Sequence, residues 1–149
     1  MIMSFYAVTP EELEEVLLGN EDVLDEVLED RPGFAQTDLD KAWDGLQFLF
    51  SAADIDIDLL KDGDPIRDDG SRFGWSAATV AQAANTLRDM PFSDLARHYD
   101  ANRMSDSDIY PTIWTTDWAL DYLQENYGDL RTFLTDTAAK EQAALMFWG

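Results

Sequence analysis

The run Asp40-Lys41-Ala42-Trp43-Asp44, with Gln47 about one helical turn further on, sets two carboxylates, an amine and an amide around an indole. Tyr110 and Trp114 bracket Pro111 later in the chain. If these two segments meet, Asp40, Lys41, Trp43, Asp44, Gln47, Tyr110 and Trp114 form a charged, aromatic surface suited to a ligand or a protein partner. The competing reading is structural. Trp43 then belongs to an apolar helical stripe, Lys41 pairs with neighbouring carboxylates, and Tyr110-Pro111 is a corner packed on the core.

Asp54, Asp56 and Asp58, followed by Asp62 and Asp64, suggest oxygen ligands for a hard cation. An EF-hand loop needs glycine at its sixth position, where Leu59 stands, and alternating Asp and Ile also describes a strand with one wet face. No metal site is therefore assigned. His98 is the only histidine and there is no cysteine, which rules out thiolate nucleophiles, disulfides and His- or Cys-built zinc sites. The chain has no nucleophile elbow, phosphate-binding loop or dinucleotide fingerprint, so no cofactor and no catalytic residue is expected. With 31 acidic residues, close carboxylate pairs arise by chance and select no hydrolase site.

Ten Lys and Arg face 31 Asp and Glu, for a net charge of −21. Nucleic-acid affinity is built on basic side chains displacing counterions, and an anionic bilayer surface attracts the same groups, so neither is an expected partner. A basic protein is. Adaptation to a salt-rich interior is the alternative origin of this charge, since Asp is abundant and only Lys41, Lys61 and Lys140 are lysines. Met1 to Val8 lacks a basic leader, and no apolar run approaches the ~20 residues that span a bilayer. The expected location is the cytoplasm.

The elements that position these side chains follow from caps and periodicity. Residues 2–8 read as a strand. Thr9, Pro10 and Glu12 form a capping box that opens a helix stopped by Gly19, and Asn20 caps a second, which Arg31-Pro32-Gly33 closes. Leu39, Ala42, Trp43, Leu46, Leu49 and Phe50 follow helical spacing, with Thr37 or Asp38 as the cap. Residues 54–72 read as an ordered loop, with at most a short element near Ile55–Leu60. Ser76 caps a helix through Leu87, and Pro91 opens another. Residues 100–108 read as a polar linker, Ile109-Tyr110-Pro111 is extended, and Thr116 caps a long helix to about Leu134, with a bend at Gly128. The closing run Ala143-Ala144-Leu145-Met146-Phe147-Trp148 reads as a buried strand paired with the first.

The segment Leu39-Asp40-Lys41-Ala42-Trp43-Asp44-Gly45-Leu46-Gln47-Phe48-Leu49 resembles the Leu-Asp-Lys-x-Trp-x-x-Leu-His-x-Leu helix of the YfbM-like family. Asp108-Ile109-Tyr110-Pro111 with Trp114 is similar to that family's second signature, and Tyr99-Asp100 to a further landmark. The resemblance spans nearly the whole chain. It implies a three-layer arrangement, a mixed sheet with helices packed on it, and no activity. Gln47 replaces the histidine that many members carry, and Pro65-Ile66-Arg67-Asp68-Asp69-Gly70 departs from the family's glycine-bearing segment.

The sequence thus predicts a single α/β (α+β) domain over residues 1–149, with both terminal strands in one sheet. Its expected function is that of a non-catalytic acidic binding protein, of inhibitor or immunity type, engaging a basic protein. The alternative is a small-molecule enzyme or binder with a pocket near Trp43 and Tyr110.

Overall fold

The computed structural model describes residues 1–67 and 70–149. Its strands are β1 (Met3–Val8), β2 (Gln36–Asp38), β3 (Asp64–Pro65), β4 (Arg72–Trp75) and β5 (Ala143–Trp148). Its helices are α1 (Pro10–Leu17), α2 (Glu21–Val27), α3 (Trp43–Ala52), α4 (Ala77–Leu87), α5 (Phe92–Ala96), α6 (Ala101–Asp106) and α7 (Ala119–Ala139). The strands form a single sheet in the order β2-β1-β5-β4-β3.

The two ends of the chain zip together at the centre of this sheet, with Met3 opposite Trp148 and Val8 opposite Ala143. The sheet was expected to be mixed; it is antiparallel at every pairing. The connections explain why. The chain leaves β1 near Val8 and returns into β2 at Gln36, opposite Tyr6; it leaves β4 at Trp75 and returns at Ala143, beside Trp75's partner Ala144. An excursion that begins and ends at the same end of the sheet sends the next strand back the other way. The class remains α+β.

Both faces are covered, which is why a continuous apolar run can be a strand. Ala143 and Leu145 meet Leu13, Val16, Leu24 and Val27 of α1 and α2. Ala144 and Met146, with Phe5 and Trp75, meet the layer of α3 to α7 through residues such as Leu46, Val80, Leu130 and Phe133. This gives three layers.

The local caps form as their chemistry dictates. Thr9 accepts the Glu12 N–H at 3.0 Å while Glu12 accepts the Thr9 N–H at 2.8 Å. Asn20 and Ser76 cap α2 and α4. Gly19 ends α1 at φ +94°, a conformation that favours glycine.

Elsewhere the structure differs from expectation. Thr37 and Asp38 belong to β2, and α3 starts only at Trp43, with no side-chain cap. Asp38 instead accepts the Asp40 N–H at 3.0 Å, and Asp40 adopts φ +46°, a turn that postpones the helix. Residues 100–108 are not a linker: Asp100 caps α6, which is anchored by Met104. Thr116 donates its hydroxyl to the Ile113 carbonyl, and α7 begins at Ala119, running without a break past Gly128 to Ala139. The stretch 54–72 holds β3 and the start of β4. Within the Pro65–Gly70 segment, Asp68 and Asp69 lie outside the described residues.

Candidate functional site

Trp43, Asp44 and Tyr110 converge on one corner. The Trp43 and Tyr110 rings lie 5.8 Å apart, and Trp148 meets Trp43 edge-on at 5.5 Å. Trp43 donates its indole N–H to the Met1 carbonyl at 2.9 Å, and Asp44 accepts the Tyr110 N–H at 2.9 Å. The N-terminal ammonium donates to the Tyr110 hydroxyl at 2.8 Å. Trp114 is fully enclosed behind them: its indole donates to the Ile109 carbonyl at 2.7 Å, and its own carbonyl accepts from Tyr99 at 2.5 Å. The Tyr110-Pro111 bond is cis. Side chains and hydrogen bonds thus fill the space between α3 and the 109–114 loop.

The remaining predicted residues point elsewhere. Gln47 faces the 57–59 loop, donating to the Ile57 carbonyl at 2.9 Å and accepting the Leu59 N–H at 2.8 Å. Such a bidentate clamp suits an amide, which offers a donor and an acceptor side by side. Lys41 is exposed, and among the described residues its side chain forms no ion pair. Asp40 looks toward α7, where its Oδ2 accepts from the Tyr122 hydroxyl at 2.7 Å.

The aspartates after α3 organise their own loop. Asp58 accepts the Leu60 and Lys61 N–H groups, and Asp62 accepts that of Asp58. Burial pushes the Asp62 carboxyl up despite that bond, and the Asp58 and Asp56 charges add to the rise. Among the described residues no group of three or more His or acidic side chains is arranged to hold a metal ion.

Open, polar space lies instead between β2 and α7. Thr37, Asp38, Asp40, Tyr122, Glu125, Asn126 and Asp129 line a hollow of ≈ 430 Å³. A second, of ≈ 230 Å³, continues from the shared Thr37 and Asp129 past Ala35 and Thr132 to Asp136. Together they make a groove running along β2. A third hollow, of ≈ 370 Å³, lies at the same strand and is lined by Ser4, Tyr6, Gln36, Thr37 and Asp38. No Lys or Arg lines any of the three.

One side chain in the groove wall and one packed beside it, against Tyr122, set its character. Asn126 is 7% exposed; its Nδ2 donates to the Tyr122 carbonyl at 2.9 Å, and its Oδ1 accepts nothing from the described residues. Trp118 is 53% exposed and stands edge-on to Tyr122 at 5.9 Å. Burial, and then the bond to Asp40, pushes the Tyr122 hydroxyl far above the ordinary phenol range.

Of the predicted site residues, Asp40 alone lines this groove. The others in it carry a recognisable signal: Tyr122, Glu125, Asn126, Asp129, Phe133 and Asp136 recur at helical spacing and share a face of α7. The apolar spine of that helix masks this second, more polar stripe in the sequence.

Residues 1–147 match the model of a domain of unknown function, DUF1877. The chain belongs to this family. Its fold is similar to the crystal structure of YfbM, a protein of unknown function from Escherichia coli, at a TM-score of 0.66, covering 98% of each chain at 19% identity. That likeness extends the resemblance read from the Trp43 and Tyr110 segments to the whole fold. No curated protein matches the chain. Among the described residues no helix is long and apolar enough to cross a membrane. In this DUF1877 member the two family-like signatures therefore meet at the Trp43–Tyr110 corner, where they tie the chain's first residue to α3.

Proposed function

We propose that the protein is a non-catalytic binding domain that seats a basic protein in the groove between β2 and α7, in the manner of an inhibitor or immunity protein. The observation that carries this reading is the groove wall: Asp38, Asp40, Glu125 and Asp129 line one hollow, Asp129 and Asp136 the hollow that continues it, and no basic side chain lines either. Uncompensated carboxylates at a concave surface concentrate field lines and draw in cationic partners. Asn126 in the wall adds a donor-seeking acceptor, and the exposed Trp118, packed against Tyr122 beside the groove, adds an aromatic face for Lys or Arg. A cytoplasmic location belongs to the same reading and accords with a chain free of cysteine.

The face first expected from Trp43, Asp44 and Tyr110 contributes less, because its rings and carboxylate already satisfy one another. The test is affinity capture with the intact protein and with Glu125→Lys/Asp129→Lys. A partner held by the native protein should be basic, released as ionic strength rises and absent from the variant. Retention that ignores both salt and charge reversal would refute the reading.

A further inference from the structure

We infer that the basic partner engages this groove as an extended segment added to the free edge of β2, with alternate Lys or Arg side chains directed toward α7. This rests on the function proposed above and specifies the form its ligand takes.

β2 is the outermost strand on its side of the sheet. On its inner side the Ala35 carbonyl accepts from Ala7 at 2.8 Å and the Leu39 N–H donates to the Met3 carbonyl at 2.8 Å, with Thr37 opposite Phe5 between them. Antiparallel alternation then turns the peptide groups of Gln36 and Asp38 outward, and among the described residues they have no backbone partner. Such a row of unpaired groups is a template for another strand.

Space exists for the side chains of that strand on both faces. Those on the Thr37 side enter the acidic groove, and those on the other side enter the hollow beside Ser4 and Tyr6. Neighbours on one face of a strand stand about 6.7 Å apart, so a segment of about five residues places two or three cations along the groove. Asn126, a residue 7% exposed whose Oδ1 accepts nothing from the described residues, lines the groove and supplies a neutral acceptor there.

Charge also selects the occupant. An exposed edge invites a second copy of the same chain, but two β2 edges would bring Asp38, Asp40, Glu125 and Asp129 against their equivalents. Like charges in opposition disfavour that pairing and leave a cationic strand as the favoured guest.

The experiment titrates the intact protein with the peptide Lys-Val-Lys-Val-Lys-Val-Lys and with the same peptide N-methylated at alternate residues, in each of the two alternations. Methylation removes ladder donors and preserves every charge. The inference expects the unmodified peptide to bind, one of the two methylated forms to weaken by at least about tenfold, and the other to bind nearly as well, because only one edge of the guest strand faces β2. It also expects the Gln36 and Asp38 amides to gain protection from hydrogen exchange. Equal, salt-sensitive binding of all three peptides would overturn strand addition and leave the acidic groove as a binding surface. Failure of every peptide, alongside partner capture that still depends on Asp129, would likewise overturn strand addition alone. Failure of every peptide together with capture indifferent to Glu125→Lys/Asp129→Lys would end both readings.

Discussion

The Tyr122 hydroxyl donates to Asp40 Oδ2 at 2.7 Å and accepts the Lys41 N–H at 2.9 Å, so one phenol fastens α7 to the turn that follows β2. Tyr122→Phe removes both bonds and leaves a carboxylate and an amide to be reclaimed by water. The expected loss is about 1–2 kcal/mol of stability, measured by urea denaturation near neutral pH. For a domain of this size each kcal/mol corresponds to about 2–4 °C in Tm. The pH dependence has a definite sign. Burial and the Asp40 bond raise the hydroxyl's pKa, so the folded state holds its proton more tightly than the unfolded chain does. The associated stability is complete below the ordinary phenol pKa of about 10 and declines as pH rises past it. Tyr122→Phe should therefore show a shallower loss of stability above about pH 10 than the native chain. Burial likewise raises Tyr99, and lifts Tyr127 to about 12, so part of the alkaline slope remains in the variant.

The parts of the fold legible in the sequence are those whose cause is local. Thr9, Asn20 and Ser76 cap their helices because each side chain bonds a backbone N–H within three residues, whatever lies further off. β5 was legible because six largely apolar residues at a terminus need two covered faces. What escaped depends on distant partners. Gln36-Thr37-Asp38 has no apolar alternation and becomes a strand because β1 offers its free edge. Asp100–Asp108 looked like a linker because α6 buries only Met104. The β2–α7 groove was missed for both reasons: one wall is that polar strand, and the other is the hydrophilic face of a helix read for its core.

Glu12 carries the α1 capping box and an ion pair at once. Arg31 Nη1 lies 2.6 Å from its Oε2, and Arg31 stacks 3.8 Å from the Phe34 ring centroid. Burial alone would raise this carboxyl, yet the bonds from Arg31 and Thr9 hold it below the ordinary range. A depressed pKa stabilises the fold above the unfolded carboxyl's pKa of about 4.3, and that contribution disappears as pH falls through the folded value. Arg31→Met should therefore flatten the acid limb of the stability profile below about pH 5. At neutral pH it should cost about 1–3 kcal/mol, because the capping box persists while the charge-assisted bonds are lost.

Gly45 is required by shape. A Cβ there would stand 2.4 Å from Trp114 Cη2 and 2.9 Å from Leu123 Cδ2, both fully enclosed. Neither side chain can yield: the Trp114 indole is held by the Ile109 carbonyl, and Leu123 is fully buried about one turn into α7. Gly45→Ala improves helix propensity by about 1 kcal/mol. Overpacking typically costs about 1–3 kcal/mol, and overlap with a fixed indole places this case at the upper end. The expected net effect is destabilisation, with a change in tryptophan fluorescence as Trp114 shifts. A stabilised variant with unchanged emission would contradict this packing.

The net charge of −21 has two explanations, and the groove separates them in a melting experiment. If the carboxylates of Asp38, Asp40, Glu125, Asp129 and Asp136 are held close together for a partner, they repel one another in the free protein. Screening relieves that repulsion once the Debye length falls to about 3 Å, near 1 M salt, so Tm should rise with KCl and then level off. Asp129→Asn removes one charge from the part of the groove common to both hollows. It should raise Tm in dilute buffer by the equivalent of a few tenths of a kcal/mol, as surface charge changes do, and the gain should vanish near 1 M KCl. Adaptation to a saline interior predicts a different curve, in which stability climbs over several molar KCl and Asp129→Asn gives no advantage in dilute buffer. The plateau and the salt-dependent benefit of Asp129→Asn must appear together, because both measure repulsion within a groove that lacks a counter-charge of its own.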